Sequence, residues 1–168
     1  MAQLIEDALP ENEPVDPDGL TEEDFRPHDW ALDPLQSLAA GLDDEEEETG
    51  LGVTLNIGGL LVSGTMVSST RWKNHLTMAL RGDGSEVSAA NLADAYDDIW
   101  TRTFRPSSDW RKARQEADLP VPARRWIHLV DATIFSGGSR FNVGTWRAPI
   151  AEVKGWSLGV FSQPEGMR

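Results

Sequence analysis

The chain has no cysteine, a single tyrosine, and only 15 basic residues against 28 acidic ones. Without cysteine there are no disulfides, no thiolate nucleophile and no cysteine-ligated zinc, so packing alone must hold the fold. No apolar run approaches the roughly 18 residues needed to span a bilayer, and no membrane partner is expected. The start, MAQLIEDALPENE, lacks both a basic segment and an apolar segment of a secretory signal, which predicts an unexported, cytoplasmic protein. No glycine loop ends in Gly-Lys-Ser/Thr, and no Gly-x-Ser-x-Gly elbow occurs, so neither phosphate cradling nor that type of serine catalysis is indicated. The basic residues form no cluster longer than Arg124-Arg125, which argues against nucleic acid as a partner.

What charge there is, is divided unequally. Of the 28 acids, 17 precede Gly50, where Arg26 is the only base, giving that segment a net charge of −16 (17 minus 1). Residues 51–168 carry the remaining 11 acids and 14 bases, a net +3. The sequence thus divides into an acidic leader, residues 1–50, and one domain, residues 51–168, long enough for a single core.

Pro10, Pro14, Pro17, Pro27 and Pro34 interrupt the leader, and acids crowd between them, so most of it is expected to be disordered. The exception is Asp33 to Leu42. Asp33 can cap, Pro34 suits a first helical turn, and Leu35, Leu38, Ala39 and Leu42 share a face, with Trp30 just upstream. Such a short amphipathic helix docks on its own domain, docks in a partner's groove, or remains a frayed turn. The six consecutive acids Asp43 to Glu48 read as a solvated, self-repelling run, or as a salt-sensitive patch for a basic partner. They lack the alternating ligands and central glycine of a calcium loop.

In the domain, Leu51, Val53, Leu55 and Ile57 alternate with small or polar residues, Gly58-Gly59 follows, and Leu60 to Val67 returns. This is the pattern of a hairpin with a primed turn. Gly64 inside the returning strand marks a bulge or a close backbone approach. The spacing of Trp72, Leu76, Ala79 and Leu80 predicts a helix ending at Gly82. A second helix is predicted from about Ser85 to Phe104, stopped by Pro106, and a third from Ser108 to Asp118. Strands follow at Trp126 to Phe135, Thr145 to Val153, and Trp156 to Ser162 beyond a Lys154-Gly155 turn. The order implies an α+β fold: a mainly antiparallel sheet of about five strands, able to curl into a barrel, with a helical insertion.

Chemistry is sparse. His28, His75 and His128 form no ligand pair, and no metal or cofactor is expected. His128 alternates with Ile127 and Leu129 in a strand, where a hydrogen-bonded or exposed imidazole is the ordinary outcome and a catalytic base the sharper one. Asp131 and Glu152 are the two acids on predicted strands; facing each other they would serve acid–base chemistry, but turn or ladder roles are commoner. Tryptophan, with seven copies, is the richest signal. Most of these rings sit in apolar stripes and read as core anchors, and an exposed set would make an interaction surface. The candidates for that surface are Trp30, Leu35 and Leu38 in the leader and Trp146, Arg147 and Trp156 in the strands.

Three segments in order resemble the gas vesicle accessory protein GvpU family. They are Val53-Thr-Leu-Asn-Ile-Gly-Gly-Leu-Leu-Val-Ser-Gly-Thr-Met-Val-Ser-Ser69, Ile127-His-Leu-Val-Asp-Ala-Thr-Ile-Phe135 and Trp146-Arg-Ala-Pro-Ile-Ala-Glu-Val-Lys-Gly-Trp-Ser-Leu-Gly159. The resemblance implies a cytoplasmic, non-enzymatic helper in assembly, stability or clustering of gas vesicles, binding the shell, other accessory proteins or itself as a homo-oligomer, with no catalytic residues to carry over. Two other classes stay open: a generic barrel-type interaction module whose acidic leader docks a basic partner, and an enzyme using Asp131 and Glu152.

Overall fold

Gly58 and Gly59 adopt φ values of +58° and +86°, which a primed two-residue turn requires and side-chain-bearing residues resist. They join β1 (Leu51–Ile57) to β2 (Leu60–Met66) in antiparallel register, Ile57 opposite Leu60 and Leu51 opposite Met66. The computed structural model describes residues 16–41, 44, 48–82 and 87–161. After β2 come helix α3 (Ser69–Arg81) and helix α4 (Val87–Glu116), then β3 (Trp126–Ser136), β4 (Ser139–Pro149), a 3-10 turn at Ile150–Glu152, and β5 (Val153–Leu158). The five strands form one antiparallel sheet in the order β4-β3-β2-β1-β5, the α+β architecture expected. The sheet is open, with β4 and β5 as its edges.

Side-chain alternation gives the sheet two buried faces. One carries Val53, Leu55, Val62, Met66, Ile127 and Leu129 in a single apolar cluster. The other carries Val67 and Val130, which pack with Trp72 of α3 and the half-buried Leu76 and Trp100. A bulge in β3 keeps both faces apolar. Asp131 takes φ +52°, a conformation Asp tolerates better than most residues, and the extra residue shifts the phase so that Ala132 joins the cluster of Leu129. Opposite it lies Gly64, where a Cβ would stand 2.9 Å from the Val130 carbonyl oxygen and 3.1 Å from Ala132 Cα. The mid-strand glycine is therefore a close backbone approach facing a bulge on the partner strand.

The helices differ from expectation in one respect. Pro106 does not stop a helix: α4 runs through it as one element of 30 residues in place of two shorter ones. A proline inside a helix removes a hydrogen bond and costs about 3 kcal/mol. The continuation is held from outside. Arg111 Nη1 donates to the Pro122 carbonyl (3.0 Å), Trp110 Nε1 to Asp18 Oδ2 (3.1 Å), and Arg114 Nε to the Pro120 carbonyl (2.8 Å). Tertiary contacts thus outweigh the local break signal. The Lys154-Gly155 turn is likewise replaced, since both residues lie within β5, Gly155 opposite Asn56 beside a register shift. Glu152, expected on a strand, lies in the 3-10 turn before it.

The segment 16–41 carries α1 (Glu22–Phe25) and α2 (Leu32–Ala40). Thr21 and Asp24 form a capping box at α1, and Asp29, not Asp33, serves the start of α2: its Oδ1 accepts from the amides of Ala31 (2.8 Å) and Leu32 (2.9 Å). α2 lies on the first sheet face. Leu32 is 0% exposed there and Ala39 joins the same cluster, while Gln36 Nε2 donates to the Trp126 carbonyl at 3.1 Å. Further upstream, Arg114, only 2% exposed, pairs with Asp16 and Asp18 and stacks on Phe25 and Trp110. The hydrogen bonds from Arg114 hold the Asp16 carboxyl below the usual carboxylate range. Residues 1–15, for which disorder is expected from the sequence, lie outside the described residues.

Candidate interaction surfaces and an arginine-lined cavity

α2 is amphipathic, so burying Leu32 on the sheet leaves an outer side. Leu38 projects from it 74% exposed, and Trp30, in the turn leading into the helix, is 75% exposed. Neither is balanced by a polar function: a large apolar side chain this open contributes nothing to the core. Leu35, the third leader candidate, turns inward and packs against the cluster of Leu32.

The strand candidates are distributed differently. Trp146 stands opposite Leu129 on β4, and Trp156 opposite Leu55 on β5, so they occupy the two opposite edges of the sheet. Both rings are half-buried against the same core cluster. Trp156 also donates from Nε1 to Asp29 Oδ2 at 2.9 Å, tying β5 to the start of α2. Each ring therefore anchors an edge strand. Outside them the edges carry exposed apolar side chains, Phe141 and Val143 on β4, and Leu158, Val160 and Phe161 on and after β5. Open strand edges with such side chains offer unpaired backbone groups to another chain.

Arg147, one residue beyond Trp146, points to the other face. Its guanidinium lies 4.0 Å from the ring centroid of Trp126. Beneath this pair is a cavity of about 310 Å³, lined also by Arg111 and Arg124, by Asp44 and by His128. Asp44 Oδ1 accepts from the Ser69 amide (3.2 Å), and its Oδ2 from the Ser69 hydroxyl. Burial pushes the Asp44 carboxyl above its ordinary value. Of the run Asp43 to Glu48, Asp44 and Glu48 are described and the others lie outside the described residues.

His128 faces this cavity and the tryptophans of α3 and α4, its ring 5.4 Å from that of Trp72. It is 6% exposed, and its Nε2 finds no hydrogen-bond partner among the described residues. The hydrogen-bonded or exposed imidazole expected from the sequence is thus replaced by a buried one with a free ring nitrogen. Burial first, and then Arg147 and Arg124, hold its pKa down to about 3. An unfolded chain binds a proton at the ordinary value near 6.5. Stability from the neutral histidine is therefore complete above about pH 6.5 and is lost as pH falls from there toward 3. Between pH 6.5 and 5 the expected loss is roughly 2 kcal/mol, read as the shift in urea unfolding free energy, and His128→Gln is expected to abolish that part of the slope. An unchanged slope in the variant would refute the assignment.

The carboxylates considered for catalysis do not converge on the cavity. Asp131 is exposed at the bulge of β3 and Glu152 is exposed in the 3-10 turn, and neither lines it. Among the described residues no group of three His, Asp or Glu side chains is placed to hold a metal ion, and no helix is long and apolar enough to cross a membrane. Sequence reasoning missed Trp126, Arg111 and Arg124 as site residues. The only available signal was the crowding of arginines at positions 111, 114, 124 and 125 in a domain of small net charge.

No curated protein and no solved structure matches the chain. A family model described as "Gas vesicle protein GvpU-like" matches residues 33–161. That span takes in α2 from its second residue, all five strands and both long helices, the same elements that bury the core and line the cavity. The protein belongs to the GvpU-like family of gas vesicle proteins.

Proposed function

We propose that the protein is a non-enzymatic gas vesicle accessory factor that assists assembly, stability or clustering of the vesicles by binding a vesicle component or a second copy of itself. The observation that carries this reading is the outward pair Trp30 and Leu38, displayed about three-quarters exposed beside a helix whose other side is locked into the core. Large apolar side chains on a rigid support lose little conformational entropy when covered, which is the usual makeup of an interface anchor. The open edges β4 and β5 add backbone groups that a partner strand can pair.

Co-sedimentation with intact gas vesicles across a salt series tests this. The full chain is the proper reagent, because removing residues 1–50 would also remove the buried Leu32. The full chain is expected to pellet with the vesicles, and the double variant Trp30→Ser, Leu38→Ser to bind about tenfold more weakly, the usual cost of truncating interface anchors. Equal binding by the variant would remove this surface from the proposal. No binding by the full chain would sink the direct-contact reading altogether.

A further inference from the structure

The cavity under Arg147 has no part in that surface, and its chemistry points elsewhere. Arg147 makes no hydrogen bond and no ion pair among the described residues, although its guanidinium is held in place by Trp126 at 4.0 Å. A stacked guanidinium is a planar donor fork already oriented, and such a fork matches the two oxygens of a carboxylate. The lining of the 310 Å³ cavity also includes Arg111, Arg124 and Arg125, whose guanidinium groups donate to Pro122, Ser37 and Glu23 and add positive charge around the void. Next to Arg147 in register lies His128, buried and with Nε2 unpartnered. A stacked guanidinium at the rim with no hydrogen-bond acceptor of its own among the described residues and an unsatisfied buried ring nitrogen beside the void are two separate signs of a site lacking its ligand.

The cavity also shows which chemistry it accepts. The chain's own Asp44 carboxylate sits in its wall, docked on Ser69 at the start of α3. Burial by itself disfavours the charged form of that carboxyl, and Arg124 and Arg111 act against that, so the arginines are what this interior offers an anion. The void beside Asp44 is large enough for another acidic group.

We propose that this cavity is a carboxylate-binding site, with Arg147 as the principal donor at its mouth and Asp44 as a built-in competitor that weakens binding by like-charge repulsion. The carboxylate comes either from a free polycarboxylic acid or from an acidic side chain of another protein. Both sources present the same group, and the two can be told apart by which probe binds.

Calorimetric titration of the full chain at constant ionic strength provides the test, with citrate as the free-acid probe and a hexaglutamate peptide as the side-chain probe. At least one is expected to bind saturably with one site per chain. Arg147→Gln is expected to weaken that binding about tenfold or more, as loss of a charge-assisted hydrogen-bonding group does. Arg147→Lys, which keeps the charge but not the fork, should also weaken it, and Asp44→Asn should tighten it several-fold. Citrate binding alone assigns a free acid, and peptide binding alone assigns a protein partner. The proposal is overturned if neither probe binds the native chain or Asp44→Asn, or if Arg147→Gln and Arg147→Lys both bind as the native chain does. None of these results depends on gas vesicles, so failure here leaves the accessory role untouched, and the reverse holds too.

Discussion

Leu32→Ala is expected to lower the unfolding free energy by about 2–5 kcal/mol, the range for a fully buried leucine cut back in a rigid core. Leu32 is 0% exposed and shares its cluster with Leu55 of β1, Val62 of β2 and Ile127 of β3, three neighbouring strands. The space left by its isobutyl group cannot be refilled cheaply, because α2 is pinned by Asp29 at one end and by Gln36 and Ser37 along its length. Asp29 meets Trp156 of β5, Gln36 meets the Trp126 carbonyl, and Ser37 Oγ accepts from Arg124 Nη1 at 2.9 Å. Urea unfolding followed by tryptophan fluorescence would measure the loss. Leu38→Ala, at a 74% exposed position of the same helix, is the control expected to change stability by less than about 0.5 kcal/mol. Equal effects at the two positions would mean that α2 does not dock as described.

Gly64→Val is expected to cost about 3 kcal/mol or to prevent folding. The backbone of Gly64 is extended, and valine is ordinarily at home in a strand, so propensity alone predicts a gain. Packing reverses the sign. A Cβ at this position would meet the Val130 carbonyl oxygen at 2.9 Å and the Ala132 Cα at 3.1 Å, both backbone atoms that cannot turn aside as a side chain can. Relief would require β2 and β3 to separate at the bulge, exposing the flanking ladder bonds. Thermal unfolding of Gly64→Ala and Gly64→Val should show a graded loss, and a valine variant as stable as the native chain would contradict the close approach.

The local features of the fold were legible in the sequence and the long-range ones were not. The β1–β2 hairpin could be read because its alternation and its two glycines lie within 16 consecutive residues. The bulge could not, since one extra residue at Asp131 silently inverts the phase of everything after it: strict alternation from Leu129 would place Ile134 on the opposite face, yet it packs against the Leu129 cluster. The break at Pro106 was a sound local inference defeated by arginines that hold α4 from its far end. Of the surface candidates, Trp30, Leu38 and Arg147 are exposed, while Leu35, Trp146 and Trp156 are drawn against the core. The cavity was invisible because Asp44, Arg111, the Arg124–His128 stretch and Arg147 converge from four separate parts of the chain, and no spacing rule relates them.

The pairing of Asp16 with Arg114 also sets an order of events during synthesis. The two residues are 98 positions apart, and Asp29 is 127 positions from its partner Trp156. At translation rates of about 5–20 residues per second, the first separation alone corresponds to roughly 5–20 s before Arg114 is made. Throughout that interval β3, β4 and β5 are still unmade, so Leu32 and Leu35 lack the complete sheet that covers them. They emerge from the ribosome in a segment carrying net charge −16, so nascent chains repel one another while their apolar residues are still bare. The leader's acids, two of which later close on Arg114, thus keep neighbouring unfinished chains apart until the last strand is available.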